Sequence, residues 1–131
     1  MSNPVPEKKT VMVCDDEQDV LQVFELALES KYNVILASSG EECVARFIEE
    51  KNRGNKIHLI LLDYRLGDMS GDFVARTIKQ YNETKIILIS GQDLDNTLLK
   101  ELEENKYIVK YIKKPIQVAD LIEIVASTLL V

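Results

Sequence analysis

The chain is 131 residues long, with 22 acidic against 16 basic side chains and a formal net charge of −6. That length fits one domain, and 46% hydrophobic residues can form a core without disulfide staples. The negative balance opposes non-specific binding to phosphate backbones and argues against nucleic acid as a direct partner.

Residues 1–9 are polar and hold two prolines, unlike a signal peptide, and are expected to form a disordered lead-in to a domain over 10–131. No apolar stretch approaches the ~20 residues a membrane helix needs, so no membrane association is expected. The two cysteines, Cys14 and Cys43, make no disulfide framework. They fit a reducing, cytoplasmic setting and read as small buried hydrophobes.

The first apolar run, 11–14, is short and rich in valine, which favours a strand. Val20, Leu21, Phe24, Ala27 and Leu28 then recur at helical spacing. A second strand is expected over 34–37. Ser39 and Glu42 follow with capping-box spacing, opening a helix whose stripe is Val44, Phe47 and Ile48. Gly54 stands where a left-handed residue would end that helix. The third strand is expected over 57–62, followed by a short helix carrying Val74 and Ile78. The fourth run covers 86–89, and Asp95 can cap a helix bearing Leu94, Leu98 and Leu102, a stripe expected to be core. The fifth run covers 108–112, interrupted by Lys110 as suits an edge strand. The last stripe is Val118, Leu121, Ile122, Val125 and Leu129.

Strand and helix therefore alternate five times, which predicts an α/β fold with helices on both faces of a parallel sheet. Right-handed crossovers lead to a flavodoxin-like doubly wound sandwich of strand order 2-1-3-4-5.

In such sheets ligands bind beyond the carboxyl ends of the strands. Asp15, Asp16 and Glu17 follow the first run, Asp63 the third, Ser90 and Gly91 the fourth, and Lys113, Lys114 and Pro115 the fifth. The first and third strands are neighbours, roughly 5 Å apart, so their acids meet. Clustered carboxylates must take up protons or share a cation. All-oxygen donors suit Mg²⁺ better than Zn²⁺, and no Cys/His cluster offers an alternative. A lysine at 114 lies about 10 Å from Asp63 by backbone, a gap its side chain largely covers. A carboxylate nucleophile, a metal, a lysine and a hydroxyl are the parts that phosphoryl transfer requires.

The segments V-M-V-C-D-D-E, L-I-L-L-D-Y-R-L-G-D-M-S-G, I-L-I-S-G and Y-I-K-K-P-I, in that order, resemble the receiver domain of two-component response regulators. The resemblance covers nearly the whole chain after the lead-in. It implies that Asp63 is the phosphoacceptor, that Asp16 binds Mg²⁺ directly and Asp15 directly or through water, and that the Arg65 carbonyl is a further ligand. Ser90 matches the switch hydroxyl, Tyr111 the aromatic switch and Lys114 the family lysine, with Lys113 the competing assignment. Arg65 and Gln92 hold positions that tune dephosphorylation. Gly67 stands where the family often has proline, and a more flexible loop is expected there.

By the same resemblance the partners are a histidine kinase or histidine phosphotransfer protein and a downstream protein target, with a homodimer a further option. The output face is the fourth helix, fifth strand and fifth helix. The domain is a signalling module rather than an enzyme with an external substrate. A pseudo-receiver would lack the acceptor, acid pair or lysine, and all are present. A haloacid-dehalogenase-like phosphatase needs D-x-D, whereas Tyr64 and Arg65 follow Asp63. No G-K-[S/T] loop supports an NTPase. No output domain follows the last stripe, which leaves a single-domain regulator or an isolated receiver. The lone His58, at the start of the third strand and far from the pocket, is expected to be structural.

Overall fold

The computed structural model describes residues 7–81 and 84–130. Most of the expected lead-in therefore lies outside the described residues. Five strands, β1 (Thr10–Cys14), β2 (Asn33–Ala37), β3 (Leu59–Asp63), β4 (Lys85–Ser90) and β5 (Lys110–Lys113), pair in parallel in the order β2-β1-β3-β4-β5. Five helices follow them in turn: α1 (Gln18–Leu28), α2 (Gly40–Asn52), α3 (Gly71–Lys79), α4 (Asn96–Glu104) and α5 (Val118–Leu130). The expected fold and strand order are present.

Side chains alternate across the sheet and sort the core into two layers. Met12, Ile60, Leu62, Ile86 and Leu88 pack under α2, α3 and α4 with Phe47, Val74, Ile78 and Leu102. Val11, Val13, Leu61, Ile87 and Ile89 pack on the other face with Leu21, Phe24, Leu121 and Val125 of α1 and α5. Cys14 and Cys43 are both buried free thiols. Burial first, then the neighbouring Cys43 thiol, pushes the Cys14 thiol well above its ordinary range, which makes it an inert core group.

Two strand starts differ from expectation by two residues, and one helix stripe differs in depth. β3 begins at Leu59 rather than 57, because His58 enters the sheet edge by its ring: the Thr10 N–H donates to His58 Nδ1 at 3.0 Å. β5 begins at Lys110 rather than 108, because Ile108 still belongs to the turn ending α4, its N–H donating to the Leu102 carbonyl at 3.4 Å. The leucine stripe is core only at Leu102, while Leu94 and Leu98 are half-buried against the cluster edge.

The cap signals hold. Ser39 Oγ accepts from the Glu42 N–H at 3.0 Å, and Asp95 Oδ1 accepts from the Thr97 N–H at 2.8 Å. The return arm of the capping box lands one residue early, on the Ser38 N–H at 3.3 Å.

Candidate functional site

The register brings the polar strand ends to one rim. Cys14 pairs with both Ala37 and Leu62, so Asp15 and Asp63 leave adjacent strands at the same level. Ser90 pairs with Lys113, and the Lys114 N–H continues the ladder by donating to the Ser90 carbonyl at 2.8 Å. The result is an open cavity of about 760 Å³, lined by Asp16, Glu17, Asp63, Arg65, Ser90 and Lys114 among others.

Asp15 is buried beneath this cavity rather than lining it. Its Oδ1 accepts from the Glu17 N–H at 2.9 Å, and its Oδ2 accepts from Lys114 Nζ at 2.8 Å. The same ammonium lies 3.5 Å from Asp63 Oδ2. Burial alone would lower the Lys114 pKa. The hydrogen bond and charge of Asp15, then the charges of Asp63 and Glu17, outweigh it and hold the lysine above its ordinary value. Lys113, the competing lysine, is half-exposed on the other side of the strand and pairs with Asp93.

Asp63 is buried, with its carboxyl pushed up to about 6. Burial is the main cause and the Asp15 charge the second. Lys114 and the Arg65 N–H, which approaches Asp63 Oδ1 at 3.5 Å, act in the opposite direction. A carboxylate held there is ionised at neutral pH but more basic than an exposed one, and more basicity means more nucleophilicity.

The donor set fits a hard divalent cation. Carboxylate oxygens of Asp15, Asp16 and Glu17 lie within 4.8 Å of one another, one residue buried and two exposed to the cavity. Every donor is oxygen, as Mg²⁺ prefers. Glu17 is a site residue that spacing alone did not single out beyond its place in the acidic run. Arg65 is exposed and makes no ion pair among the described residues.

Ser90 and Tyr111 meet on one atom. Ser90 Oγ donates to the Gln92 carbonyl at 3.1 Å and accepts from the Gln92 N–H at 3.1 Å. The Tyr111 hydroxyl donates to the same carbonyl, also at 3.1 Å. Tyr111 is half-buried and lies outside the cavity lining.

The loop from Asp63 to α3 is tightly closed. The Gly71 N–H donates to the Tyr64 carbonyl at 2.7 Å, and a Cβ on Gly71 would stand 2.6 Å from the Asp63 carbonyl. Only glycine permits that approach.

A family profile described as the response regulator receiver domain matches residues 11–126. The transcriptional regulatory protein AruR of Pseudomonas aeruginosa is 30% identical over 103 residues, covering 76% of this chain and 42% of that protein. The chain thus spans about two fifths of that relative's length. A CheY-like receiver domain protein from Methanospirillum hungatei superposes with a TM-score of 0.80 at 25% identity, over 94% of both chains. A BeF3-activated DrrB receiver domain superposes with a TM-score of 0.76 at 26% identity, over 95% of this chain and 99% of that one. With its five-stranded sheet and its acidic rim, the chain belongs to the response regulator receiver domain family.

Proposed function

We propose that this receiver accepts one phosphoryl group on Asp63 in a Mg²⁺-dependent reaction and passes the signal on by protein contact. The single observation that carries this reading is the position of Asp63: buried, raised to about 6, and 3.5 Å from a lysine ammonium whose own pKa is raised. Receiver domains generally bind Mg²⁺ at an acidic pocket, and here Asp16, Glu17, Asp63 and the Arg65 carbonyl would hold it, with Asp15 acting through water because both its oxygens already accept hydrogen bonds. Bound there, the ion supplies positive charge for the transferred oxygens.

Asp63, ionised at neutral pH, attacks phosphorus with one carboxylate oxygen. The O–P bond forms as the N–P bond of a phosphohistidine donor breaks, and the leaving imidazole nitrogen keeps the bonding pair. Lys114 remains protonated and turns its ammonium from Asp15 toward the phosphoryl oxygens, adding charge-assisted hydrogen bonds. The donor is a histidine kinase or histidine phosphotransfer protein acting in the cytoplasm.

The added phosphate brings roughly two negative charges and three acceptor oxygens. Ser90 Oγ then donates to phosphate instead of to Gln92. The Gln92 carbonyl loses one of its two donors, and Tyr111 follows into the vacated space. This biases the α4–β5–α5 face toward a second arrangement that a downstream protein, or a second copy of the chain, reads. Arg65 and Gln92, at the cavity mouth, set how readily water reaches the acyl phosphate.

The test is intact mass after incubation with acetyl phosphate and Mg²⁺. One hydroxylamine-labile phosphoryl adduct is expected, absent without Mg²⁺ and absent in Asp63→Asn. An adduct that persists in Asp63→Asn overturns the assignment. Absence of any adduct, even with a cognate kinase, favours an interaction module that works without phosphate.

A further inference from the structure

Asp68 is five residues past Asp63 and does not line the cavity. Its carboxylate instead straddles the start of α2. Oδ1 accepts from the Gly40 N–H and Oδ2 from the Glu41 N–H, both at 2.9 Å. Those amides are two of the orphan donors at the helix start, and the N-cap Ser39 serves the next one, on Glu42. The hydrogen bonds from Glu41 and then Gly40 hold the Asp68 carboxyl below its ordinary range.

Asp68 is also one half of a latch. The next residue, Met69, sits on Gly40 so closely that a Cβ there would stand 2.2 Å from Met69 Cγ. α2 therefore offers both two amides and a bare backbone surface to residues 68–69. On the other side of Asp68 is Gly67, at φ +85, where an added Cβ would stand 3.9 Å from Asp16 Oδ2. Glycine there leaves the loop tip free to rotate. Fixed points exist on both sides of it: the Arg65–Ser70 bridge with the Gly71 contact at the base, and the Asp68 fork at the tip.

We infer that Asp68 is a positioning residue for the phosphorylation site, which holds the Arg65–Gly67 stretch against Asp16 by gripping the first turn of α2. This rests on the phosphoacceptor reading given above, and it names how that site is kept in shape. A loop with glycine at its tip spends entropy whenever it must present a backbone carbonyl to a cation. A charge-assisted fork to a helix end removes that cost before the cation arrives. The consequence falls on Mg²⁺ affinity first and on the maximal rate hardly at all.

The experiment titrates the full chain with MgCl₂, read by tyrosine fluorescence, which is unobscured because the chain has no tryptophan. In parallel it measures the acetyl phosphate rate across the same Mg²⁺ series. Asp68→Ala should raise the Mg²⁺ midpoint roughly tenfold, the scale of losing a group that orients a metal ligand. Its rate at saturating Mg²⁺ should stay near that of the parent. Asp68→Asn, which keeps one acceptor oxygen, should fall between. Ser39→Ala removes a cap from the same helix without touching the loop, and its midpoint should not move. An unchanged midpoint in Asp68→Ala and Asp68→Asn, or an equal shift in Ser39→Ala, overturns the inference. A parent chain that binds Mg²⁺ but takes no phosphoryl group overturns the phosphoacceptor reading alone, and the Mg²⁺ midpoints still judge Asp68. A parent that binds no Mg²⁺ overturns both.

Discussion

The Lys114 ammonium donates to Asp15 at 2.8 Å while standing 3.5 Å from Asp63. It is thus held on the deeper acid and available to the shallower one. The Asp15 side chain is only 3% exposed, and Lys114 is the cation it pairs with there. Lys114→Met leaves a buried carboxylate without its partner and should cost about 2–3 kcal/mol in urea melts at pH 7 without metal. Saturating Mg²⁺ should restore part of the loss, because it supplies the missing positive charge. The acetyl phosphate rate should fall roughly a hundredfold, as when one preorganised donor to a developing anion is removed. A variant as stable and as fast as the parent contradicts this account.

Asp63 gives a stability change whose sign follows from its raised pKa. With the folded value at about 6 against 3.8 in the unfolded chain, the carboxyl favours folding only while protonated. That contribution is complete below 3.8 and lost as pH rises through about 6. Asp63→Asn is neutral at every pH, so it should match the parent at low pH and exceed it at neutral pH. A two-unit shift corresponds to about 3 kcal/mol, and the opening to solvent screens it to roughly 1–2 kcal/mol. Urea melts in chelator at pH 3.5 and 7.5 measure the difference. A gap that does not widen with pH argues that Asp63 is not strained by its surroundings.

What the sequence made legible is the part governed by short-range pattern. Valine- and isoleucine-rich runs mark strands, and the residues just beyond them mark the rim, so Asp15, Asp63, Ser90 and Lys114 could be grouped without coordinates. The division of labour between Asp15 and Asp16 was not legible from pattern. It depends on which side chain the sheet buries, and only Asp15 goes under the rim to meet Lys114. Asp68 was invisible for a related reason. Its partners Gly40 and Glu41 lie 28 and 27 residues away, and a cap supplied from another segment has no local spacing signature. The half-burial of Leu94 and Leu98 has no signature in the sequence, because a stripe of period four identifies a helix face without saying how deeply the sheet receives it.

His58 accepts a hydrogen bond from the Thr10 N–H on Nδ1, which requires that nitrogen to be unprotonated. Burial, then the charges of Lys56 and Lys9, lowers its pKa from the ordinary 6.5. The neutral ring therefore contributes stability that is present above 6.5 and lost as pH falls through the lower folded value. It is the only histidine, so one set of ring resonances reports it. An NMR titration should place its midpoint below 6.5, and a midpoint at or above that value contradicts the hydrogen-bond assignment.

Two helices end in the same way with different residues. α2 ends with Gly54 at φ 78, where the Gly54 N–H donates to the Lys51 carbonyl and the Asn55 N–H to the Glu50 carbonyl. α4 ends with Lys106 at φ 62, where the Lys106 N–H donates to the Glu103 carbonyl and the Tyr107 N–H to the Leu102 carbonyl. Both are Schellman closures, and both need a left-handed residue after the cap. Glycine adopts that conformation freely, whereas a lysine Cβ crowds its own carbonyl at a cost of about 1 kcal/mol. Nothing in the sequence around Lys106 announces the turn, because lysine carries no left-handed preference. Lys106→Gly should therefore stabilise the domain by about 0.5–1 kcal/mol, the relieved strain being partly offset by the greater freedom of glycine in the unfolded chain. Gly54→Lys should destabilise it by a similar amount, although no atom lies within 4 Å of the added Cβ. Stabilisation by Lys106→Gly together with destabilisation by Gly54→Lys in urea melts is the expected result. Stabilisation by Gly54→Lys, or a loss of stability in Lys106→Gly, contradicts the backbone account.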